Sequence, residues 1–354
     1  MTEYEKVSDF ANLMTAAHAC GNGVRWKASV QSFDITQIRQ CARLKAELAK
    51  GTYKSKGFHD FTINERGKTR RIQSVHISER CVQKSLCNNV MKPVIVPKLI
   101  HDNAASLKGR GTEFALNRLK CHLERHYRRH GRKGGILTID YKNYFGSIDH
   151  DKLLDLLDKT FDDKEVFNFL RQFVEAFDEG LGLGSEISQI SAIYFPNSID
   201  HKIKEQMHIK GYGRYMDDSY LIHEDIDHLR YCLSEIEKAC NELGIAINKK
   251  RTQITPLTKG FVYLKKRVIL QANGRVSMRL TRKNIANRRR KLKAQARKLS
   301  EGEITMDAIA QSYQSWRGYA SKYDSYKTLQ SMDKLYQELF GTMPERKKHG
   351  RRSS

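Results

Sequence analysis

Apolar positions recur at helical spacing across residues 5–49, with an interruption near Gly21-Asn22-Gly23. The period then changes. Residues 58–71 alternate, and a turn at Gly67 separates two strand-like pieces. Helical spacing returns over residues 78–96 and 111–129; Gly134-Gly135 ends the second helix, and Ile136-Leu137-Thr138-Ile139 reads as a buried strand. The spacing predicts further helices over residues 152–160, 165–177, 188–206 and 227–243. Residues 213–222 read as a hairpin, 261–270 and 275–280 as strands, and 282–340 as helical. This order predicts an α+β sheet core with helical additions at both ends, and no internal repeat is visible.

Composition narrows the partners. The chain has 354 residues, enough for two or three subdomains, and 64 Lys and Arg against 40 Asp and Glu give a net charge of +24. An excess that large points to a polyanion, with nucleic acid as the leading candidate. Five prolines and no low-complexity linker imply closely packed, continuous subdomains. Seven cysteines form no CxxC pair and follow no secretory signal, so free or buried thiols in a reducing cytosol are expected, with no zinc site. No apolar run approaches the length of a membrane span, which predicts a cytoplasmic or nucleoid-associated protein with no membrane partner. Arg346-Lys347-Lys348 and Arg351-Arg352 mark a basic, disordered tail.

Two sites in the sequence carry candidate chemistry. In Tyr215-Met216-Asp217-Asp218 two adjacent carboxylates sit between apolar strand-like flanks. Successive strand side chains point to opposite faces, so both carboxylates can share a site only where the chain turns. Side-by-side negative charges cost energy unless a cation offsets them, and oxygen ligands of this type suit Mg²⁺. A solvated acidic turn is the competing reading of these four residues. Asp140 is the second anchor, at the end of the buried strand, where the strand fixes its direction. Asp140, Asp217 and Asp218 together would supply ligands for two Mg²⁺ ions (Mn²⁺ as a substitute) roughly 3.5–4 Å apart.

Asp140, then Phe145 followed by Ser147-Ile148-Asp149-His150, then Tyr215-Met216-Asp217-Asp218, resembles the reverse transcriptase family. The resemblance extends over most of the chain. Gly67-Lys68-Thr69-Arg70-Arg71-Ile72 resembles the fingers segment whose cations hold the incoming triphosphate. The stretch from Ser106 through Gly109, Arg110 and Gly111 to Thr112 resembles the segment that follows it. Gly182-Leu183-Gly184 opens a helix where the family has its glycine loop, and Gly260-Phe261-Val262-Tyr263-Leu264 resembles the primer-gripping hairpin.

The resemblance implies a right-hand polymerase: a helical extension over 1–57, fingers over 58–135, and a palm with an antiparallel sheet over 136–280, into which part of the fingers is inserted near 150–185. A helical thumb over 281–341 and the tail over 342–354 would follow. It implies RNA-directed DNA polymerase activity, with Asp140, Asp217 and Asp218 as metal ligands. Lys68, Arg70, Arg71, Tyr141, Phe145, Leu183, Gly184 and Gln189 would contact the dNTP. Phe145 would exclude a ribose 2′-hydroxyl and so select deoxynucleotides. Tyr215, Met216, Tyr263, Leu264, Arg288, Arg289, Arg290 and Lys291 would contact primer or template.

Departures from the common pattern are informative. Leu183-Gly184 and Ser188-Gln189 replace the usual Gln-Gly and Ser-Pro, which resembles the reverse transcriptases of diversity-generating retroelements. Those enzymes copy RNA with frequent errors and work with an accessory protein. A standalone phage-defence enzyme copying a dedicated non-coding RNA is an alternative, and a non-catalytic, maturase-like RNA-binding protein is a third. Arg251 stands where a Lys often lies; a guanidinium holds its proton too tightly for general-acid work, which points to Lys249 or Lys250 as the proton donor to pyrophosphate. Lys265 stands where relatives have Gly, which puts the primer-grip geometry in question.

Two basic clusters complete the reading. Residues 281–299 carry nine cations without an acidic residue, around a narrow stripe of Ile285, Leu292 and Leu299, the expected thumb helix along a template–primer duplex. Arg118, Lys120, Arg125, Arg128, Arg129, Arg132 and Lys133 form a second cluster, for template or a structured RNA. Trp316 and Tyr319 are expected in the thumb core. The implied partners are an RNA template, a DNA or RNA primer, dNTPs, a structured non-coding RNA and an accessory protein or a second copy of the chain.

Overall fold

The computed structural model describes residues 1–65 and 68–344, apart from the side chains of Glu65, Lys68 and Arg70. Gly67 and the basic tail from residue 345 onward therefore lie outside the described residues. The chain starts with four helices, α1 (Glu3–Ser8), α2 (Phe10–Gly21), α3 (Ala28–Ile35) and α4 (Gln37–Ala49). The predicted helical stretch is thus cut more often than its spacing suggests. Asp9 caps α2 by accepting from the Asn12 amide, and Thr2 and Glu5 form a capping box on α1. The strands β1 (Phe58–Glu65) and β2 (Lys68–Val75) pair antiparallel, with Ile63 opposite Arg70 and Glu65 opposite Lys68. Next come α5 (Ile77–Leu86), a π-helical turn, the short α6 (Lys92–Ile95) and α7 (Thr112–His130).

The core strand β3 (Gly135–Asp140) is buried at all six positions. It leads into α8 (His150–Asp158), α9 (Lys164–Glu175), α10 (Glu186–Tyr194) and α11 (Asn197–His201). The single helix expected over 188–206 is broken at Phe195-Pro196, because proline lacks an N–H and its ring clashes with the preceding turn. The hairpin β4 (Gly211–Tyr215) and β5 (Asp218–His223) follows, then α12 (Ile226–Glu242) and β6 (Gln253–Pro256). The sequence reading has no counterpart to β6, which is four residues long and too short to establish a period. After it come β7 (Phe261–Tyr263), β8 (Lys266–Leu270), β9 (Val276–Leu280), α13 (Arg282–Ser300), α14 (Met306–Ala320) and α15 (Tyr326–Phe340).

The chain packs as two compact units. Among the described residues, the first holds 1–119, 137–222 and 227–253; the second holds 120–136, 223–226 and 254–344. In the first, the sheet order β4-β5-β3 sets β3 beside β5. Leu137, Ile139, Tyr212, Tyr220, Leu221, Leu153, Leu170, Ile187 and Ile190 are all buried there. Each such side chain contributes about 1.5–3 kcal/mol. In the second, β7-β8-β9 form an antiparallel sheet, and the helices α13–α15 close on Leu292, Ile309, Tyr313, Met332 and Tyr336. The Tyr313 and Tyr336 rings stack with centroids 4.4 Å apart. None of the seven cysteines is in a disulfide, and all but Cys121 are buried. No described helix is long and apolar enough to cross a membrane.

Candidate active site

The doubled aspartate lies at the tip of a two-residue turn. β4 and β5 pair in register from Gly211 opposite Ile222 to Tyr215 opposite Asp218, leaving Met216 and Asp217 to connect them. Met216 takes φ +53°, a left-handed conformation that costs a non-glycine residue about 1–2 kcal/mol. Below the turn the hairpin is tightly filled. Gly213 faces Tyr220, and a Cβ on it would lie 2.7 Å from the Tyr220 hydroxyl, so only glycine admits that ring. Arg214 and Asp200 are fully buried and paired, with Arg214 Nη2 donating to Asp200 Oδ2 at 2.7 Å.

Asp140 ends β3 beside that turn, since β3 neighbours β5. The backbone N–H of Tyr141 donates to the Asp217 carbonyl at 3.2 Å, tying the two acidic segments directly. On its other side, Asp140 is gripped by the segment before β6. Its carbonyl accepts from the Asn248 amide at 2.8 Å, Oδ1 accepts from Asn248 Nδ2 at 2.7 Å, and Oδ2 accepts from Arg251 Nη1 at 2.8 Å. Asp140 is 7 % exposed whereas the Arg251 side chain is 62 % exposed, so an accessible cation covers a buried anion.

This arrangement bears on the expected metal site. Among the described residues no three His, Cys, Asp or Glu side chains are arranged to hold a metal ion. Both Asp140 carboxylate oxygens accept hydrogen bonds, one from Asn248 and one from Arg251. The donor chemistry of Asp140, Asp217 and Asp218 would suit a hard divalent cation. Arg251 stands as the counter-charge to Asp140.

Phe145 begins a 3₁₀ turn (Phe145–Ser147) and is half-buried, edge-on to Tyr144 with centroids 5.9 Å apart. Tyr144 is anchored below it by donating to the Ala192 carbonyl at 2.5 Å. Behind Phe145 runs the glycine loop. The Phe145 carbonyl accepts from the Leu181 amide at 2.7 Å, and a Cβ on Gly180 would lie 2.4 Å from that same oxygen. Further along, the Leu183 carbonyl accepts from the Gln73 amide at 3.1 Å, which docks the loop on β2. Gly184 has φ +121°, and a Cβ there would lie 3.1 Å from the Gln73 carbonyl. Gln189 is exposed on α10 and accepts from Ser106 Oγ at 3.1 Å, joining two of the segments singled out by sequence.

Several expected contacts fall elsewhere. Tyr141 is 3 % exposed, so its phenol belongs to the core, and what it offers the site is its backbone N–H. Burial pushes that phenol far above its usual pKa. Arg71 donates to Asp60 Oδ2 of β1 at 2.6 Å. The side chains of Lys68 and Arg70 lie outside the described residues. Tyr215 and Met216 are both half-buried at the turn.

The second unit carries the remaining candidates. Leu264 (φ +44°) and Lys265 (φ +63°) form the two-residue turn joining β7 to β8, closed by Tyr263 opposite Lys266. A lysine at the glycine position therefore keeps the left-handed turn, and Asn284 Nδ2 donates to the Lys265 carbonyl at 3.2 Å. Tyr263 is 3 % exposed, so its ring is core rather than a primer contact. Lys266 is fully buried, with its ammonium 4.3 Å from the centroids of both Tyr319 and Tyr323. On α13, Arg289, Arg290 and Lys291 are exposed as expected for a phosphate-facing surface. Arg288 is not. It is 6 % exposed, lies 5.4 Å from the Tyr313 ring and 5.7 Å from the Trp316 ring, and donates to Ser312 Oγ. Positions 285, 288, 292, 295 and 299 share one helix face, so Arg288 and Gln295 are carried inside with the apolar stripe.

Sequence reasoning missed Asp200, Arg214 and Asn248 as parts of the site. Arg214 immediately precedes Tyr215, and a cation there was the one available signal.

No curated protein sequence matches the chain. Among solved structures, the fold resembles that of a telomerase from Candida albicans, determined in complex with a TWJ fragment of telomeric RNA. The TM-score is 0.51 at 11 % identity, over 80 % of this chain and 61 % of the telomerase chain. At that identity the likeness speaks for the fold alone, the right-hand polymerase architecture of mixed helices and antiparallel sheets. A family model described as reverse transcriptase (RNA-dependent DNA polymerase) matches residues 54–268, a stretch that contains Asp140, Phe145, the glycine loop and the Asp217-Asp218 turn. With well over half its length covered by that model, the chain belongs to the reverse transcriptase family.

Proposed function

We propose that this protein is an RNA-directed DNA polymerase that extends a primer by adding dNTPs against an RNA template. The observation that supports this reading most is the Tyr141–Asp217 backbone hydrogen bond, which unites the two acidic segments inside a reverse transcriptase domain. Asp140, Asp217 and Asp218 are the residues that would hold Mg²⁺. When bound, such ions lower the pKa of an attacking hydroxyl and stabilise the leaving pyrophosphate. Asn248 and Arg251 orient the Asp140 carboxylate, Phe145 would exclude a 2′-hydroxyl, and Lys68 and Arg70 would hold the triphosphate. Lys249 or Lys250, rather than Arg251, donates the proton to pyrophosphate. Arg289, Arg290 and Lys291 bind phosphates of the nucleic acid through a salt-sensitive interaction.

Primer extension on an RNA template is the direct test. Asp217→Asn and Asp218→Asn should abolish nucleotide addition while leaving RNA binding intact. Wild-type extension by either variant would sink the reading and favour a non-catalytic, maturase-like RNA-binding role. Phe145→Ala should admit ribonucleotides.

The finer reading is error-prone copying of the diversity-generating kind, supported by Leu183-Gly184 and Ser188-Gln189. An aliphatic side chain beside the nascent pair removes a hydrogen-bonding check. Sequencing of the cDNA tests this: an error rate as low as that of accurate reverse transcriptases overturns it, and Leu183→Gln should raise accuracy. Sequencing copurified RNA distinguishes a variable-repeat template from a dedicated non-coding RNA of a phage-defence system.

A further inference from the structure

Arg214 lies inside the protein with 0 % exposure, and so does Asp200. A fully buried guanidinium is costly, and an apolar pair of the same volume is often more stable. The pair therefore calls for an explanation beyond stability. Burial works against the Arg214 charge, yet Asp200 outweighs it and holds the guanidinium protonated. The contacts are directional. Nε donates to Asp200 Oδ1 at 2.8 Å, and Nη2 reaches both Asp200 Oδ2 and the Ile193 carbonyl of α10, each at 2.7 Å. Nη1 donates to the Met216 carbonyl at 3.2 Å. Asp200 is itself oriented by the Tyr212 hydroxyl at 2.5 Å.

The last contact of Arg214 is the informative one. The Met216 carbonyl belongs to the peptide that enters Asp217, and that peptide follows a residue held at φ +53°. A left-handed residue persists only where its surroundings over-determine it. The peptide leaving Asp217 is tied too, because its carbonyl accepts from the Tyr141 amide at 3.2 Å. Both peptides flanking Asp217 are thus clamped, one by Arg214 and the other by the residue after Asp140. The base of the clamp is equally braced. The Arg214 amide donates to the Asp102 carbonyl at 3.1 Å, and its carbonyl accepts from Ala104 at 2.9 Å.

We infer that Arg214 is a positioning residue for the nucleotidyl-transfer step, aiming Asp217 through the Met216 carbonyl, with Asp200 and Tyr212 as its support. This inference rests on the proposed polymerase reading. Misplacement of a reacting group by about 1 Å costs on the order of 100-fold in rate, while substrate binding made elsewhere is untouched. A merely structural role predicts something different: activity falling in step with the folded fraction.

The test is steady-state nucleotide addition by the full chain on an RNA template with a DNA primer, in Mg²⁺ buffer. Arg214→Lys keeps the charge opposite Asp200 but cannot reach Asp200, Ile193 and Met216 together. Its kcat should fall about 10- to 100-fold, with the KM for dNTP and the affinity for template–primer within about threefold of wild type. Circular dichroism should show a folded protein. A kcat unchanged per folded molecule, or losses of kcat and binding in parallel with the folded fraction, would overturn the inference. Where Arg214→Lys does not fold, Tyr212→Phe carries the test, since it removes only one donor from Asp200. A several-fold drop in kcat at constant KM supports the clamp, and an unchanged kcat overturns it. Asp217→Asn serves as the separate control: if it retains full activity, the polymerase reading itself fails, whatever Arg214 does.

Discussion

Arg251 places its guanidinium 2.8 Å from Oδ2 of Asp140, on the carboxylate that the reverse transcriptase resemblance assigns to a metal. An ion binding Asp140 would compete with this internal cation for the carboxylate. Removing the competitor should therefore tighten metal binding. Because Arg251 is largely exposed, the pair is worth only about 0.5–1 kcal/mol, equivalent to roughly two- to fivefold in affinity. Titration of Mn²⁺ followed by electron paramagnetic resonance should show Arg251→Gln binding more tightly than wild type by that factor. Equal or weaker binding would refute the competition.

Gly180 has φ +57°, and a Cβ there would meet the Phe145 carbonyl at 2.4 Å, a backbone atom that cannot step aside cheaply. Gly180→Ala should destabilise by about 1–3 kcal/mol in urea unfolding. In primer extension it should also blur the distinction between dNTPs and ribonucleotides, because the oxygen it strikes belongs to Phe145. Intact discrimination in the variant would show that the loop does not set the ring.

The Leu264–Lys265 turn and the buried Lys266 separate two kinds of lysine. Lys265 needs only its left-handed backbone, so Lys265→Gly should stabilise by up to about 1 kcal/mol, the relieved strain outweighing glycine's extra freedom, while β-branched Lys265→Val should cost about 1–2 kcal/mol. Lys266 sits against two tyrosine rings. Lys266→Ala forfeits both cation–π contacts and leaves a cavity, costing about 2–5 kcal/mol, and Lys266→Met, which keeps the volume, should cost less. Urea denaturation of the four variants ranks these effects.

Glu186 opens α10 and accepts from Lys84 at 2.8 Å and Lys92 at 2.6 Å. Burial alone would raise its pKa, but the two ammonium groups prevail and hold it below the usual value of 4.5. A carboxylate whose folded pKa is depressed stabilises above its unfolded pKa and loses that contribution as pH falls through the folded value. Melting temperature should therefore drop below about pH 4.5 in wild type. Glu186→Gln should be less stable at neutral pH by about 1–2 kcal/mol and should lose less on acidification. Parallel pH profiles for the two proteins would contradict this.

Much of the site was legible in sequence because its signals are local. Glycine pairs, alternation and a doubled aspartate mark strand ends and turns within a few residues. Asp140 and the Met216-Asp217 turn accordingly appear where the residue pattern predicts them. Orientation was harder to read. Tyr141, Tyr263 and Arg288 occupy the predicted elements, but their side chains turn inward. Alternation and helical period say which residues share a face, not which face the rest of the chain covers.

The sequence by itself determined the elements, the polyanion-seeking charge and the chemistry carried at the acidic turn, since these depend on residue type and short spacing. Tertiary structure alone decided which charges are interior. Arg214 is tolerable inside only because Asp200, fourteen residues earlier, and the carbonyls of Ile193 and Met216 converge on it. Lys266 is tolerable only between Tyr319 and Tyr323, and Asp140 is held by Asn248 and Arg251 from over a hundred residues away. The free energy of a buried charge is set by its partners, and those partners are assembled only when the chain has folded.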